Sequence, residues 1–207
     1  GTWKSSALAC RFFESSSILL SSITYSDLER LTGFISVLAQ RSYDLAQDCL
    51  TLSQEVLPHL GDSRDAFISL VTTLTTGSWR EVRECFETVA RVLPKIEVGQ
   101  RSRFLSLAER LGHSGYRNIS RFLQDGSNGL SQVENSSHGP LLNLGETLLQ
   151  THAASLPELL KSAPHLLERI SMQQLDVWFA EGLRILRENT DGGMAYFRLE
   201  STHSEEL

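Results

Sequence analysis

The sequence predicts an all-α protein built as a right-handed solenoid of about five helical hairpins, each 36 or 37 residues long. Three observations carry that prediction. Leu20, Leu57, Leu93, Leu130 and Leu167 recur at intervals of 37, 36, 37 and 37 residues. Each has an aliphatic partner one helical turn on, in Ile23, Leu60, Ile96, Val133 and Ile170, and an apolar stripe then ends in Leu38, Leu74, Leu111, Leu148 and Leu186. Throughout, apolar residues return at helical spacing and hardly anywhere alternate as they would in a strand. A unit of this length with two amphipathic segments matches HEAT- or armadillo-like repeats, where one hairpin cannot bury its apolar face until the next stacks upon it.

Taken in order, the helices fall near 3–22, 26–40, 42–58, 63–76, 79–94, 98–112, 116–124, 140–151, 156–169, 172–189 and 193–201. Several starts are written locally. Ser26 with Glu29, Ser78 with Glu81, Ser155 with Glu158 and Ser171 with Gln174 fit the capping box, in which two side chains satisfy backbone donors that the first turn leaves orphaned. The leucine register is expected to be core, with Leu20, Leu57, Leu93 and Leu167 buried between neighbouring helices. The exception to the helical reading is Asp125 to Pro140. Gly126, Asn128, Gly129, Asn135, Ser136, Ser137, Gly139 and Pro140 concentrate turn-forming residues there, so an irregular loop or degenerate hairpin is expected near 125–140.

The chain of 207 residues is 41% hydrophobic and 21% charged, a balance that suits one helical-repeat domain over 1–207 and excludes a disordered chain. No apolar run approaches the roughly 18 residues of a membrane-spanning helix, and a cytoplasmic location is expected. The opening Gly1-Thr2-Trp3 has neither an initiator methionine nor the order of a signal peptide, and is read as a boundary within a longer chain. Net charge is −6 and acidity grows toward the C-terminus. That field disfavours an unspecific grip on nucleic acid or anionic lipid, which depends on concentrated Lys and Arg.

Chemistry-bearing patterns are sparse. Cys10, Cys49 and Cys85 form no CxxC pair and are odd in number, so a disulfide framework is not expected; Cys49 and Cys85 sit in equivalent places of successive repeats and read as buried thiols. Neither a phosphate-cradling GxxxxGK[ST] loop, an HExxH helix nor a GxSxG elbow is present. The six histidines are scattered, and no metal or cofactor is expected. Asp125-Gly126-Ser127-Asn128-Gly129 approaches the DxSxS metal loop of von Willebrand factor A domains, but its last position is Gly and no apolar strand precedes it, so it reads as turn chemistry.

A second register offers a candidate binding surface. Tyr43, Trp79 and Tyr116 follow Leu38, Leu74 and Leu111 by five residues, each opening a helix, with Arg80, Arg83, Arg117 and Arg121 nearby. Stacked repeats set equivalent positions in a line. Aromatic and Arg side chains are favoured anchors of protein interfaces, and the same pairing can hold single-stranded nucleic acid. The same rings can equally staple each turn onto the preceding helix. The residues leave all three readings open.

From Trp178 the chain runs Trp-Phe-Ala-Glu-Gly-Leu-Arg-Ile-Leu-Arg-Glu-Asn, followed by Thr190-Asp191-Gly192-Gly193-Met194-Ala195-Tyr196-Phe197-Arg198-Leu199-Glu200-Ser201. Through Gly193, Ala195, Tyr196, Phe197, Leu199, Glu200, Ser201 and Ser204 this segment resembles the helical-repeat region of the family typified by the nitric oxide reductase activation protein NorD and the Rubisco activation subunit CbbO. The resemblance implies a von Willebrand factor A domain beyond residue 207. It also implies a MoxR-type AAA+ ATPase partner and a target metalloenzyme that the pair activates or remodels. ATP hydrolysis then belongs to the partner and no catalytic residue maps onto this chain, which is expected to be a non-enzymatic adaptor. Beside it stand a generic HEAT-like protein-binding scaffold and, third, a nucleic-acid-binding helical repeat.

Overall fold

In the computed structural model, which describes Cys10, residues 24–77 and residues 79–198, the described chain is helical and holds no strand. Helix α1 spans Tyr25–Arg41 and α2 Tyr43–Leu60. A 3₁₀ turn over Gly61–Ser63 leads into α3, Arg64–Gly77, and another over Trp79–Glu81 into α4, Val82–Val92. Helix α5 covers Arg101–Ser114 and α6 Tyr116–Arg121; the latter widens into a π turn at Phe122–Gly126 and resumes as α7, Ser127–Leu130. Then come α8, Asn135–Thr151, α9, Ser155–Arg169, α10, Met172–Glu188, and α11, Thr190–Phe197. The helix expected near 3–22, with Leu20, lies outside the described residues.

The corners repeat in geometry as well as in sequence. Ser42 closes α1 by donating its N–H to Leu38 O at 2.7 Å, and its Oγ accepts the N–H of Leu45 at 3.3 Å to open α2. Asn189 does the same between α10 and α11, donating to Ile185 O at 2.7 Å and accepting the N–H of Gly192 on Oδ1 at 3.1 Å. Both adopt nearly the same extended backbone, φ −153° and ψ 112° against φ −148° and ψ 109°. One polar residue thus ends one helix and caps the next, which forces a sharp reversal. Gly115, with φ at +129°, takes the equivalent place between α5 and α6.

Packing follows this order. Helix α1 contacts α3, α3 contacts α5 and α5 contacts α8; α2 contacts α4, α4 contacts the 122–126 turn and α7, these contact α9, and α9 contacts α11. Hairpin partners α1 and α2, and α8 and α9, join the two series, and α10 packs on α11. Between them lies the core. The ring of Phe86 meets Phe67 edge-on at 5.0 Å and Phe34 at 5.8 Å, and Phe104 stacks on Phe122 at 5.2 Å. Leu57, Leu93 and Leu130 of the leucine register are buried, as are Leu38, Leu74, Leu111, Leu148 and Leu186. Leu167 departs from expectation: it is half-buried, and Leu166 beside it takes the core position.

The loop expected near 125–140 is a correction. Only residues 131–134 form a turn; the rest is helix. Its glycines serve contact, not flexibility: a Cβ on Gly129 would stand 2.1 Å from the carbonyl oxygen of Leu160, and one on Gly126 would stand 3.4 Å from Pro157 Cα. Small residues let two helix backbones approach, which outweighs their poor helix propensity. Two capping boxes also depart from expectation. Helix α1 is capped by Thr24 and Asp27, two residues ahead of Ser26 and Glu29. At α9 the expected box is absent, since Glu158 turns to arginines and Ser155 Oγ contacts His152 Nδ1 at 3.0 Å. At α10 the Ser171 N–H donates to Gln174 Oε1 at 3.0 Å, as expected. Ser78 lies outside the described residues.

Candidate functional site

Tyr43 and Trp79 sit at corresponding corners, Tyr43 on the first turn of α2 and Trp79 at the head of the 3₁₀ turn before α4; both are half-buried. Trp79 packs on the core, and the Arg80 guanidinium lies 5.4 Å from its ring centroid. That is a cation–π contact, worth about 0.5–1 kcal/mol at an exposed site. Tyr116 opens α6 at the third corner; its side chain is outside what the structure describes, while Arg117 beside it is exposed. The structure therefore sets these positions at three successive corners, and Trp79 acts as a staple that keeps an exposed cation on its face.

Arg83 and Arg121 have other partners. Arg83 bridges Asp48 on α2 at 3.0 Å and Glu87 on its own helix at 2.8 Å, and these partners hold its guanidinium pKa above the usual value. Arg121 pairs with Glu158 on α9, whose second oxygen faces Arg198 Nε at 3.4 Å. Ser120 Oγ donates to Glu84 at 3.3 Å in the same row. A polar ladder thus runs across α2, α4, α6, α9 and the end of α11. A second row joins Arg91 to Asn128 and Lys161 to Asp125, the latter at 3.1 Å. On the other layer Arg30 meets Asp65 at 2.6 Å, Ser69 donates to Glu109 at 2.6 Å and Arg103 to Glu146 at 2.9 Å.

Apart from the Arg83–Glu87 pair within one helix, these links join residues about one repeat apart. The residue patterns do not single out Asp48, read Glu158 only as a capping partner of Ser155 and include Arg198 only in the terminal segment, although the signal for pairing is there: opposite charges occupy equivalent register positions of successive repeats.

Buried polar groups are mostly structural. His138 is fully buried; the Glu97 N–H donates to its Nδ1 at 3.1 Å, so Nε2 carries the proton and donates to Leu130 O at 3.1 Å. Burial holds its pKa below the ordinary imidazole value. Cys49 and Cys85 are buried thiols; burial first, with Asp48 adding, pushes Cys49 up to about 12, and burial raises Cys85 further. Such thiols are poor nucleophiles because the thiolate is the reactive form. In the Asp125–Gly129 stretch, Asp125 pairs with Lys161, Ser127 Oγ donates to Leu123 O at 2.6 Å and Asn128 Oδ1 accepts from Arg91. Among the described residues no group of three or more His, Cys, Asp or Glu converges on a metal-sized site.

The Ala195-Tyr196-Phe197 segment packs α11 on α10. Phe197 is fully buried, 5.6 Å from the Trp178 ring, and Tyr196 stacks on Trp178 at 5.1 Å while its hydroxyl donates to Trp178 O at 3.1 Å. Gly182 and Gly193 permit this: a Cβ on either would stand 2.7 Å from Phe197 Cζ or 2.5 Å from Leu186 Cα. Compared with protein families, curated proteins and solved structures, the chain matches none. No helix among the described residues is long and apolar enough to cross a membrane.

Proposed function

We propose that this chain is a non-enzymatic protein-recognition domain, a HEAT- or armadillo-like right-handed solenoid that docks partners along the Tyr43, Trp79 and Tyr116 corners. The observation that carries this reading is the polar ladder. Its links connect helices one repeat apart, as expected where each unit contacts only its neighbours and the corners and outer faces form an extended surface. Arg80 on the Trp79 ring supplies the aromatic and cationic pair that protein interfaces favour.

The finer reading is an adaptor of the NorD and CbbO kind, working with a MoxR-type AAA+ ATPase on a target metalloenzyme. It rests on the resemblance of residues 178–204 alone. ATP hydrolysis is then the partner's, and this chain contributes recognition. Co-purification of the native full-length protein with a co-expressed MoxR-type ATPase tests it. Retention of the ATPase, weakened by Trp79→Ala with Arg80→Ala, is the expected result; no retention with or without nucleotide sinks the adaptor reading.

The second reading is a generic helical scaffold with unrelated partners. The engagement of Tyr196 and Phe197 in packing favours it, because that role alone accounts for these aromatics and the glycines facing them. A nucleic-acid function is disfavoured by the net charge of −6 and by the carboxylates that already pair Arg83 and Arg121.

A further inference from the structure

The leucine register opens at one place. Leu57, Leu93 and Leu130 are 3%, 0% and 0% exposed, and the partners Leu60 and Ile96 are 1% and 2% exposed. At the fourth and fifth units Val133, Leu167 and Ile170 are only half-buried. Together with Met172, which is 39% exposed, they floor a groove of about 400 Å³ between the 131–134 turn and the junction of α9 with α10. Residues that are core elsewhere in the molecule here face water. Partly exposed apolar positions that line a groove can receive the apolar side chains of a partner segment.

Charge specifies the occupant. The charged side chains lining the groove are Glu134 and Glu168, both exposed. His165 stands 3.7 Å from Glu168 and does not line the groove, nor does Arg169. The last nine residues of the sequence contain Glu200, Glu205 and Glu206 and no Lys or Arg, the same sign as the rim. A second copy offers net charge −6, again the same sign. We infer that the groove binds a short basic amphipathic segment of a partner protein, with aliphatic or aromatic side chains on Val133, Leu167, Ile170 and Met172 and Lys or Arg against Glu134 and Glu168. This mode, an apolar face laid in a groove with complementary flanking charge, is a general one. The inference extends the reading as a protein-recognition domain and uses a surface apart from the Trp79 corner.

The test is fluorescence anisotropy with the whole chain and three labelled peptides: a helical leucine–lysine peptide, its glutamate-for-lysine counterpart and its serine-for-leucine counterpart. The leucine–lysine peptide is expected to bind, and the other two not. The exposed double reversal Glu134→Lys with Glu168→Lys, checked for folding by circular dichroism, is expected to weaken it about tenfold, as loss of two rim attractions and gain of two repulsions implies. Absence of binding, equal binding of the acidic or leucine-free peptide, or indifference to the reversal overturns the proposal. So does a dimer, seen by sedimentation, that the same reversal dissolves, since the groove would then hold a second copy. ATPase retention alongside peptide failure leaves the recognition reading standing and removes the groove alone.

Discussion

Arg121 and Glu158 stand 37 residues apart in the chain and form an ion pair between α6 and α9 in which the carboxylate is 5% exposed and the arginine 45%. Arg198, at the end of α11, approaches the other carboxylate oxygen at 3.4 Å. One buried carboxylate therefore ties together three elements in successive units. Its two cations still reach water, so the pair is asymmetric.

That asymmetry is measurable. Removing a cation strands a buried carboxylate, whereas neutralising the carboxylate leaves two arginines that water can solvate. Arg121→Met is expected to cost roughly 2–3 kcal/mol, below the full range for a stranded buried charge because Arg198 remains, and Glu158→Gln about 1 kcal/mol. Urea unfolding of the two variants compares them directly; equal losses contradict the asymmetry.

Glycine substitutions separate close approach from local propensity. Gly129→Ala sets a methyl group 2.1 Å from Leu160 O and 2.8 Å from Lys161 Cα, both backbone atoms that cannot rotate away. The expected loss is about 3 kcal/mol or more, from forced separation of α7 and α9. Gly33→Ala, in the interior of α1 with nothing within 4 Å, is expected to gain about 0.5–1 kcal/mol. Thermal unfolding should move in opposite directions for the two.

The leucine register predicts graded truncation costs. Leu93→Ala, fully buried, is expected to lose roughly 2–5 kcal/mol through transfer and cavity terms. Half-buried Leu167→Ala is expected to lose about 1–2 kcal/mol, in proportion to the smaller area withdrawn from water. A Leu167 loss equal to that of Leu93 in guanidinium unfolding contradicts the open groove.

Acid should loosen the junction at His138. Its folded pKa lies below the ordinary 6.5, owing first to burial, with the Leu130 carbonyl, Glu97 and Val133 opposing. Between the folded and unfolded values the unfolded chain binds more protons, so stability rises with pH there. Stability is therefore full above about pH 6.5 and falls as pH drops toward the folded pKa, because a proton on Nδ1 meets the Glu97 N–H. His138→Gln should flatten this part of the stability profile, and an unchanged slope rejects the assignment.

The helical class, most helix positions and most of the core were legible in the residues because periodicity reports directly which faces seek burial. The stretch from Asp125 to Pro140 was not. Gly126 and Gly129 signal turns by local propensity, and only contact with Pro157 and Leu160 on another helix reveals them as spacers. Glu158 departs from its expected role for the same reason: spacing from Ser155 suggests a cap, but two arginines from other units outcompete a single backbone donor for its carboxylate. At the candidate surface, the placement of Tyr43, Trp79 and Tyr116 at successive corners could be read from spacing, whereas the engagement of Arg83 and Arg121 by Asp48, Glu87 and Glu158 could not.

By itself the sequence determined that helices form, where most begin and end, and which face of each is apolar, since these are properties of a few consecutive residues. Only the tertiary structure decided which polar side chains pair across units, which glycines hold helices close, and that Val133, Leu167 and Ile170 line an open groove while their counterparts Leu60, Leu93 and Ile96 lie in the core. Such outcomes depend on what a neighbour one repeat away presents, and that neighbour is set by stacking rather than by the local chain.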